Sequence, residues 1–304
     1  VTLTADADGT NPGRVTLNDS SNELRDGLDT IAEVHTDGGD VTITGLLVST
    51  VSVRLMVNAG GITAQAIDTT GTPIGSAGDV MLVSAGGAIS VQSIDSAGDV
   101  LLETQGAADD VIVNGAINVT GIRRSFLTAP AAMDSDQVVI PMAEAGGLSM
   151  GDTVRVSDGN SPTQVFQVLD ADAGTGIVTL NGMLAEDFDP VDGAFLETGP
   201  ADQHVTVLAG DDVHLFESVT TVAGGTVLVS ALNGTIEGAG SDGVLMASRT
   251  AITTAGGNIR VAAAGEGDVF LSLLNAGAGD VSVLADGNIF DANDAVATIT
   301  APAM

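Results

Sequence analysis

The sequence predicts an all-β fold: a right-handed parallel β-helix, or β-solenoid, interrupted by a small inserted β-barrel or β-sandwich. Short apolar runs recur every nine to eleven residues over residues 76–115, and turn residues separate them. The runs begin at Val80, Ile89, Val100 and Val111. Strands at this spacing without intervening helices are compatible with two folds: an antiparallel sandwich or barrel, and a parallel solenoid.

A repeated turn phrase favours the solenoid. The phrase "SAGDV" occurs twice, with its aspartate at Asp79 and Asp99, so two strands fill one unit of about 20 residues. Identical corners must recur when successive units stack on one another. Side chains inside such a stack lie over their equivalents at strand spacing, about 4.8 Å, so we expect a core of small and β-branched residues.

The composition agrees with a narrow, regular interior. Hydrophobic residues make up 44% of the 304 residues, but aromatic residues make up only 2%, and Trp and Tyr are absent. Large rings normally fill irregular cores, whereas Val, Ile, Leu and Ala suit stacked strands. The 40 Gly indicate frequent turns, and the abundance of Val, Ile and Leu argues against a disordered chain.

The strand pattern continues on both sides of residues 76–115. It includes "GGDVTITG" and "NAGGITAQAI" before this stretch, and "AGGTVLVSA", "AGGNIRVAAAG" and "AGDVSVLADGNIF" after it. The best helix candidate is Ser20–Val34, which has apolar residues at helical spacing. Because Gly27 interrupts it and strands surround it, we expect a loop or a short helical turn there.

The segment 122–199 breaks the repeat and predicts a separate small β-domain. Four of the seven Phe and five of the eight Pro lie between residues 122 and 200. Five strand-like runs occur here: "QVVIPM", "DTVRVSD", "QVFQVL", "GIVTL" and "AFLE". Insertions in a solenoid lie in its loops. We therefore predict a first solenoid part in residues 1–121, the insertion in 122–199 and a second solenoid part in 200–304.

The charge excludes several classes of partner. The chain contains 40 Asp and Glu against 8 Lys and Arg, a formal net charge of -32. We expect no nucleic acid partner, since phosphate binding needs clustered cations. No apolar run approaches the roughly 20 residues of a membrane helix, so we expect no membrane insertion. Without Cys there is no disulfide framework and no thiolate metal site. Since the chain begins at Val1, we take it as a processed product or a piece of a longer protein.

Residues 1–121 and 200–304 resemble the repeat regions of large bacterial exoproteins. The resemblance lies in "GRVTLNDSSNELRDGLDTIAEVHTDGGDVTITG", the repeated "AGDV" and "AGGNI" phrases, and "LADGNIFDANDAVATITA". These are similar to filamentous-haemagglutinin-like adhesins and giant surface proteins of marine bacteria. The middle segment looks like a small β module of secreted and phage-related proteins. The resemblance implies export, a right-handed β-helix rod, and adhesion or surface coating at the bacterial cell surface.

The first candidate site is the corner that contains Asp79 and Asp99. If the step between them is one repeat, the two carboxylates lie at the same corner in adjacent repeats and could share a cation. Calcium is the candidate, because it takes oxygen ligands from carboxylates and turn carbonyls. The alternative is that each Asp makes a turn and points to solvent. The same question arises for Asp268 and Asp280, although their separation is shorter than one repeat.

A second candidate is the interaction site Arg123–Arg124, the only adjacent basic pair. It could contact an acidic glycan or the acidic surface of a neighbouring molecule. The alternative is an ion pair that holds the insertion against the acidic solenoid. A near-match to the calcium-binding glycine-rich nonapeptide at Glu237–Leu245 occurs once, whereas such sites need tandem copies. We interpret it as a chance match.

No catalytic constellation stands out, so we predict that the chain is not an enzyme and needs no cofactor, calcium apart. His35, His204 and His214 show neither triad nor metal spacing. We predict a structural or adhesive extracellular protein, a rod or fibre subunit. It would stack end to end or join neighbouring repeats of a longer exoprotein, with a glycan or cell-surface ligand. The alternatives are a carbohydrate-active β-helix enzyme and a calcium-dependent glycan-binding module.

Overall fold

The chain forms two compact units. The computed structural model describes residues 2–5, 15–24, 33–36, 39–50, 52–233, 243–293 and 298–300, with the backbone alone for 2–5, 15–24, 33–36 and 298–300. The first unit comprises residues 1–69, 78–120 and 201–304, and the second comprises residues 70–77 and 121–200. The described part is almost entirely β-structure with parallel sheets. No helix among the described residues is long and apolar enough to cross a membrane.

One parallel sheet of the first unit has nine described strands, each paired with its equivalent in the next repeat. In spatial order the strands are β1 (Thr2–Ala5), β3 (Glu33–Thr36), β5 (Val53–Val57), β7 (Val80–Ser84), β9 (Val100–Thr104), β18 (Val205–Ala209), β21 (Val227–Ala231), β24 (Ile259–Ala263) and β27 (Val281–Ala285). We call this the first sheet. Strands β9 and β18 pair directly, with Val100 opposite Val205, although the inserted segment separates them along the chain.

The second sheet of this unit is also parallel and has fourteen described strands. They are β2 (Val15–Leu24), β4 (Val41–Val48), β6 (Ile62–Asp68), β8 (Ile89–Ser96), β10 (Val111–Val113), β11 (Ile117–Val119), β19 (Val213–Leu215), β20 (Val219–Thr221), β22 (Val244–Met246), β23 (Ala251–Thr253), β25 (Val269–Leu271), β26 (Leu273–Asn275), β28 (Ile289–Asp291) and β29 (Thr298–Thr300). Strand β8 pairs with both β10 and β11, so one long strand in early repeats corresponds to two short strands in later ones.

A repeat therefore consists of one strand of the first sheet followed by one long or two short strands of the second. The predicted step holds between β7 and β9, where Val80 lies opposite Val100. Other steps are longer, as from Val53 to its partner Val80 and from Val227 to its partner Ile259. The uniform step was wrong because connections absorb extra residues while the paired strands keep their register.

The core of the first unit consists of stacked aliphatic columns. First-sheet strands alternate buried and outward residues, so the first, third and fifth positions lie over their equivalents. Val100 and Leu102, for example, lie between Val80 and Leu82 on one side and Val205 and Val207 on the other. The cluster contains no aromatic side chain among the described residues. This explains the near absence of rings from the sequence, because identical layers leave no irregular space to fill.

Glycines before the first-sheet strands allow successive repeats to approach closely. A Cβ at Gly257 would overlap the carbonyl oxygen of Gly225, and one at Gly279 would overlap that of Gly257. These residues stand two positions before Val227, Ile259 and Val281. The recurrent glycine in "AGGT", "AGGN" and "GAGD" is therefore a steric requirement of the stack.

The second unit is a six-stranded antiparallel sheet. Its strands, in spatial order, are β12 (Arg124–Phe126), β17 (Phe195–Thr198), β14 (Thr153–Ser157), β15 (Gln164–Asp172), β16 (Ile177–Leu180) and β13 (Gln137–Val139). A short helix α1 (Met142–Ala145) and a 3-10 turn (Pro190–Asp192) connect them. Each of the five predicted runs forms a strand, and β12 is an additional one.

Two further sequence expectations differ from the structure. Residues 70–77 belong to the second unit, because Ile74 is buried in its core with Phe166 and Phe188. Nothing in local composition shows this, since the packing is non-local. The expected loop or helical turn at Ser20–Val34 was wrong where the structure describes it, since β2 extends to Leu24 and pairs in parallel with β4. The remainder up to residue 32 lies outside the described residues.

Candidate functional site

Asp79 and Asp99 lie at the corner directly before β7 and β9. Their neighbours Val80 and Val100 pair in register, so the two aspartates occupy equivalent positions in adjacent repeats. Oδ1 of Asp79 accepts a hydrogen bond from the backbone N–H of Asp99 at 3.0 Å. Oδ1 of Asp99 in turn accepts from the backbone N–H of His204 at 2.7 Å, across the inserted segment.

The same arrangement recurs along the stack, and we call it the corner ladder. At five described steps, a side chain accepts the backbone N–H of its equivalent one repeat later. The further acceptors and donors are Ser52 Oγ with Asp79 N–H, His204 Nδ1 with Thr226 N–H, and Asn258 Oδ1 with Asp280 N–H, at 3.1, 3.1 and 2.9 Å. Because Nδ1 of His204 accepts here, the neutral ring carries its proton on Nε2.

The corner before the second-sheet strands contains the same kind of hydrogen bond, in which a side chain accepts the backbone N–H of its equivalent one repeat later. The pairs are Asp40 Oδ1 with Gly61 N–H, Asp110 Oδ1 with Asp212 N–H, and Asp268 Oδ1 with Asn288 N–H, at 2.9, 3.3 and 2.6 Å. Asp268 and Asp280 therefore lie at different corners. The Asp of the Gly-Asp-Val phrase receives a backbone donor of the next repeat, which would otherwise remain without a partner at the turn. Calcium binding at Asp79 and Asp99 stays a prediction.

A different acidic group brings three carboxylates together. In the described part of the chain, the side chains whose oxygens converge are Asp110, Asp211 and Asp212, with ligand atoms within 4.8 Å of one another. Asp79 and Asp99 do not belong to this group. Two "DDV" phrases, before Val111 and Val213, supply it, and these valines pair directly. We call this the acidic corner.

Burial raises the pKa of Asp110 above its ordinary value of 3.8, and the nearby carboxylates of Asp211 and Asp109 act in the same direction. The backbone N–H of Asp212 and the neighbouring His214 act in the opposite direction. A bound cation would offset the repulsion among these carboxylates, and Ca²⁺ accepts such oxygen ligands. The acidic corner is thus the arrangement in the described residues best suited to a hard cation.

The predicted pair Arg123–Arg124 divides into two roles within the second unit. Arg123 donates from Nη2 to the carbonyl oxygen of Ala77 at 2.8 Å. Arg124 pairs with Glu197, its Nη2 lying 2.7 Å from Oε2. The alternative interpretation predicted an ion pair between this segment and the solenoid. Arg124 instead forms its ion pair with a residue of its own unit.

Arg124 belongs to a set of residues on one face of the antiparallel sheet. Glu197 lies between Arg124 and Arg155 on three adjacent strands, and Phe195 lies under the guanidinium of Arg124. With Phe126, these residues form what we call the arginine face. Sequence reasoning missed Arg155, Glu197 and both rings, because the strand order that joins them is not visible in the sequence.

The remaining candidates do not assemble into a further site among the described residues. His204 takes part in the corner ladder, and His214 in β19 stacks on Phe216 with ring centroids 6.1 Å apart. The near-nonapeptide Glu237–Leu245 lies outside the described residues except for its last three.

Comparisons with known proteins identify no relative: no protein-family model, curated protein or solved structure matches the chain. The function is therefore inferred from the sequence and from the geometry of the two units.

Proposed function

We propose that the first unit is a right-handed parallel β-helix and that the chain is a structural or adhesive protein of the bacterial cell surface. The observation that carries the proposal is the in-register stacking of the nine described first-sheet strands, with one aliphatic core within the repeats from β5 onward. A right-handed crossover between parallel strands is the strongly favoured hand. The repeated corner phrases also support membership among filamentous-haemagglutinin-like exoproteins.

The apolar end of the stack supports a rod that continues beyond its last described repeat. Val281 and Val283 of β27 remain partly exposed, whereas their equivalents Ile259 and Val261 are buried. Ile289 of β28 is 54% exposed, against 0% for its equivalent Val269. In the described part of the chain, β27 has a parallel partner on one side only. A further repeat of a longer exoprotein, or a second copy stacked end to end, would cover this surface.

The shape of single particles tests the β-helix. Nine repeats at about 4.8 Å give a stack of about 40 Å, and cryo-electron microscopy would show its length and hand. A left-handed path or unstacked sheets would refute the assignment.

Self-association tests the end-to-end version, using Val283→Lys, which places a charge on the inward side of β27. The matched control is Ser282→Lys on the exposed side of the same strand. We expect wild type and control to form longer particles with increasing concentration in sedimentation, and Val283→Lys to remain monomeric. Monomers in all three samples would contradict end-to-end stacking of copies. The remaining explanation for the exposed apolar end would then be a further repeat of a longer exoprotein.

The acidic corner favours one alternative, a calcium-dependent module. If it holds Ca²⁺, chelation lowers the thermal midpoint of the wild type by several degrees, because ligand binding stabilises the folded state. Asp211→Asn should remove the response to calcium and Asp79→Asn should keep it. An unchanged wild-type midpoint in excess chelator would contradict structural calcium. The absence of enzymatic activity stays a prediction.

A further inference from the structure

The arginine face begins with a row of charged residues that cross the sheet. Arg124 on β12 pairs opposite Glu197 on β17, which in turn pairs opposite Arg155 on β14. Oε2 of Glu197 accepts from Nε and Nη2 of Arg124 at 3.3 and 2.7 Å, while Oε1 lies 3.6 Å from Nη1 of Arg155. One largely buried carboxylate thus holds two guanidinium groups side by side.

Both guanidinium groups retain donors that face solvent. The side chains of Arg124 and Arg155 are 44% and 40% exposed, whereas that of Glu197 is 11% exposed. Each guanidinium has five N–H donors in a planar fork, and Glu197 takes only a few of them. The row therefore carries one net positive charge and unused N–H donors, which suit an oxyanion with two or more acceptor oxygens.

The next row on the same face contains two aromatic rings. Phe126 and Phe195 pair across β12 and β17, and Phe195 also pairs opposite Ser157 on β14. Phe126 is 61% exposed. The charged row itself ends in an exposed apolar residue, since Val165 lies opposite Arg155 on β15 and is 60% exposed. The Arg124 guanidinium lies 3.9 Å from the centre of the Phe195 ring, which fixes its plane.

An open groove of about 470 Å³ follows these two rows, with the hydroxyl-bearing Ser157 and Thr163 on its wall. Its lining therefore combines two guanidinium groups, the Phe195 ring, the apolar side chain of Val165 and hydroxyl groups. This combination matches a sugar ring, which has an apolar face and a hydroxyl edge, when that ring also carries an anionic substituent. The volume accommodates one or two such rings.

The charge distribution makes the groove exceptional in the second unit. Residues 70–77 and 121–200 contain twelve Asp and Glu but only three Arg. Arg123 donates to the Ala77 carbonyl oxygen, so the other two arginines are concentrated on this face. An anionic ligand is attracted here and repelled by the surrounding surface, so charge complementarity restricts where it binds.

We propose that the arginine face binds an anionic sugar, one that carries a carboxylate or a sulfate. The oxyanion lies against Arg155 and the outer edge of Arg124, and the sugar ring lies in the groove against Val165 and Phe195. This deepens the adhesive part of the proposed function by naming its ligand class. This proposal depends only on the second unit. Its failure would therefore leave the proposal that the first unit forms a rod unaffected.

Calorimetric titration of the full chain at low ionic strength tests the proposal. The probes are hexagalacturonate, which carries carboxylates, a sulfated galactan hexasaccharide, and neutral maltohexaose. We expect at least one anionic probe to bind, weakening with added salt, and maltohexaose not to bind. Preference for one anionic probe identifies the oxyanion. If neither binds at millimolar concentration, the proposal is overturned.

Two substitutions with opposite expected effects separate binding from a structural role. Arg155→Gln should weaken binding about tenfold or more, because it removes a charged donor. Glu197→Gln should strengthen it severalfold, because it removes the competing carboxylate. The matched control is Arg260→Gln, which removes an exposed arginine from the first unit and should leave binding unchanged.

Several results would overturn the proposal even if Glu197→Gln fails to fold. If Arg155→Gln and Arg260→Gln weaken binding equally, the attraction is a general charge effect. If Glu197→Gln folds and weakens binding as Arg155→Gln does, the triad is structural. If Arg155→Gln abolishes self-association in sedimentation while no sugar binds, the face contacts the acidic surface of a second copy instead.

Discussion

Aspartates at the solenoid corners of the first unit and in the hairpin turns of the second unit accept hydrogen bonds over different distances along the chain. In the first unit, Asp79, Asp99 and Asp110 accept N–H groups that lie 20, 105 and 102 residues further on. In the second, Asp158 and Asp172 accept N–H groups two or three residues further on. An aspartate at a solenoid corner thus joins one repeat to the next, whereas an aspartate in a hairpin closes its own turn.

The cores differ in the same way. The first unit stacks identical aliphatic layers, so each position meets its own equivalent. The second unit closes its antiparallel sheet around Phe166 and Phe188, with Ile74 contributed from a distant segment. Regular stacking permits a ring-free core, whereas a single small sheet with irregular connections requires larger side chains to fill its interior.

The largest expected effect comes from a cavity in the aliphatic columns. Leu102→Ala should lower the free energy of unfolding of the first unit by about 2–5 kcal/mol, because the layers on either side are held in register and cannot collapse. The matched control is Leu101→Ala on the outward side of β9. Hydrogen exchange read by mass spectrometry would show faster exchange in the first unit alone. Equal effects of the two variants would contradict the columns.

A smaller effect follows from the close approach of the corner glycines. Gly257→Ala should cost about 1–3 kcal/mol, because the new methyl group overlaps backbone atoms of Gly225 that cannot turn aside. Gly71→Ala in the second unit is the control, since a Cβ there meets nothing within 4 Å. Urea unfolding measures both. A tolerated Gly257→Ala would show that the repeats are free to separate.

The corner ladder itself should contribute less. Asp99→Ala leaves the N–H of His204 without its acceptor and should cost about 1 kcal/mol. Asp99→Asn keeps an acceptor oxygen and should change the unfolding midpoint little. If Asn is as harmful as Ala, the negative charge matters, and the calcium prediction for this corner gains support.

Acidification should change the contribution of particular carboxylates to folding stability, and the direction of the change should differ between the two units. The N–H of Ser161 and the hydroxyl of Thr175, respectively, are the main causes that lower the pKa of Asp158 and Asp172 below 3.8. Their stabilisation is present above that value and is lost as the pH falls through the folded-state pKa. Because burial raises the pKa of Asp110, its contribution is most favourable below 3.8 and decreases as the pH rises through its folded-state pKa.

Non-titrating variants measure this difference. With calcium removed by a chelator, Asp110→Asn should raise the unfolding midpoint of the first unit relative to wild type at about pH 7, and the gain should vanish at about pH 3. Asp158→Asn or Asp172→Asn should lower the midpoint of the second unit at about pH 7, and this loss should decrease on acidification. The same sign for both units would contradict the assignment of these shifts to burial and to turn hydrogen bonds.

Local patterns predicted the positions of a few candidate residues, but neither their partners nor the acidic corner. The recurrence of "SAGDV" placed Asp79 and Asp99 at one corner correctly, because the intervening repeat has no insertion. The hydrogen bond from the His204 N–H to Asp99 was not predictable. It depends on β9 and β18 pairing directly, although the inserted segment separates them along the chain. Likewise, Arg124 stood out as a cation, whereas Glu197 became its partner only through the order of β12, β17 and β14.

The sequence by itself determined that the protein is all-β, that its repeats have apolar interiors without aromatic rings, and that a different segment interrupts them. Alternation, turn residues and composition act over a few residues, so they can be read directly. Only the tertiary structure decided which strands pair across the insertion, that residues 70–77 join the second unit, and that Arg124, Glu197 and Arg155 meet on one face. These depend on contacts between residues far apart in the chain, whose register is set by packing of the whole unit.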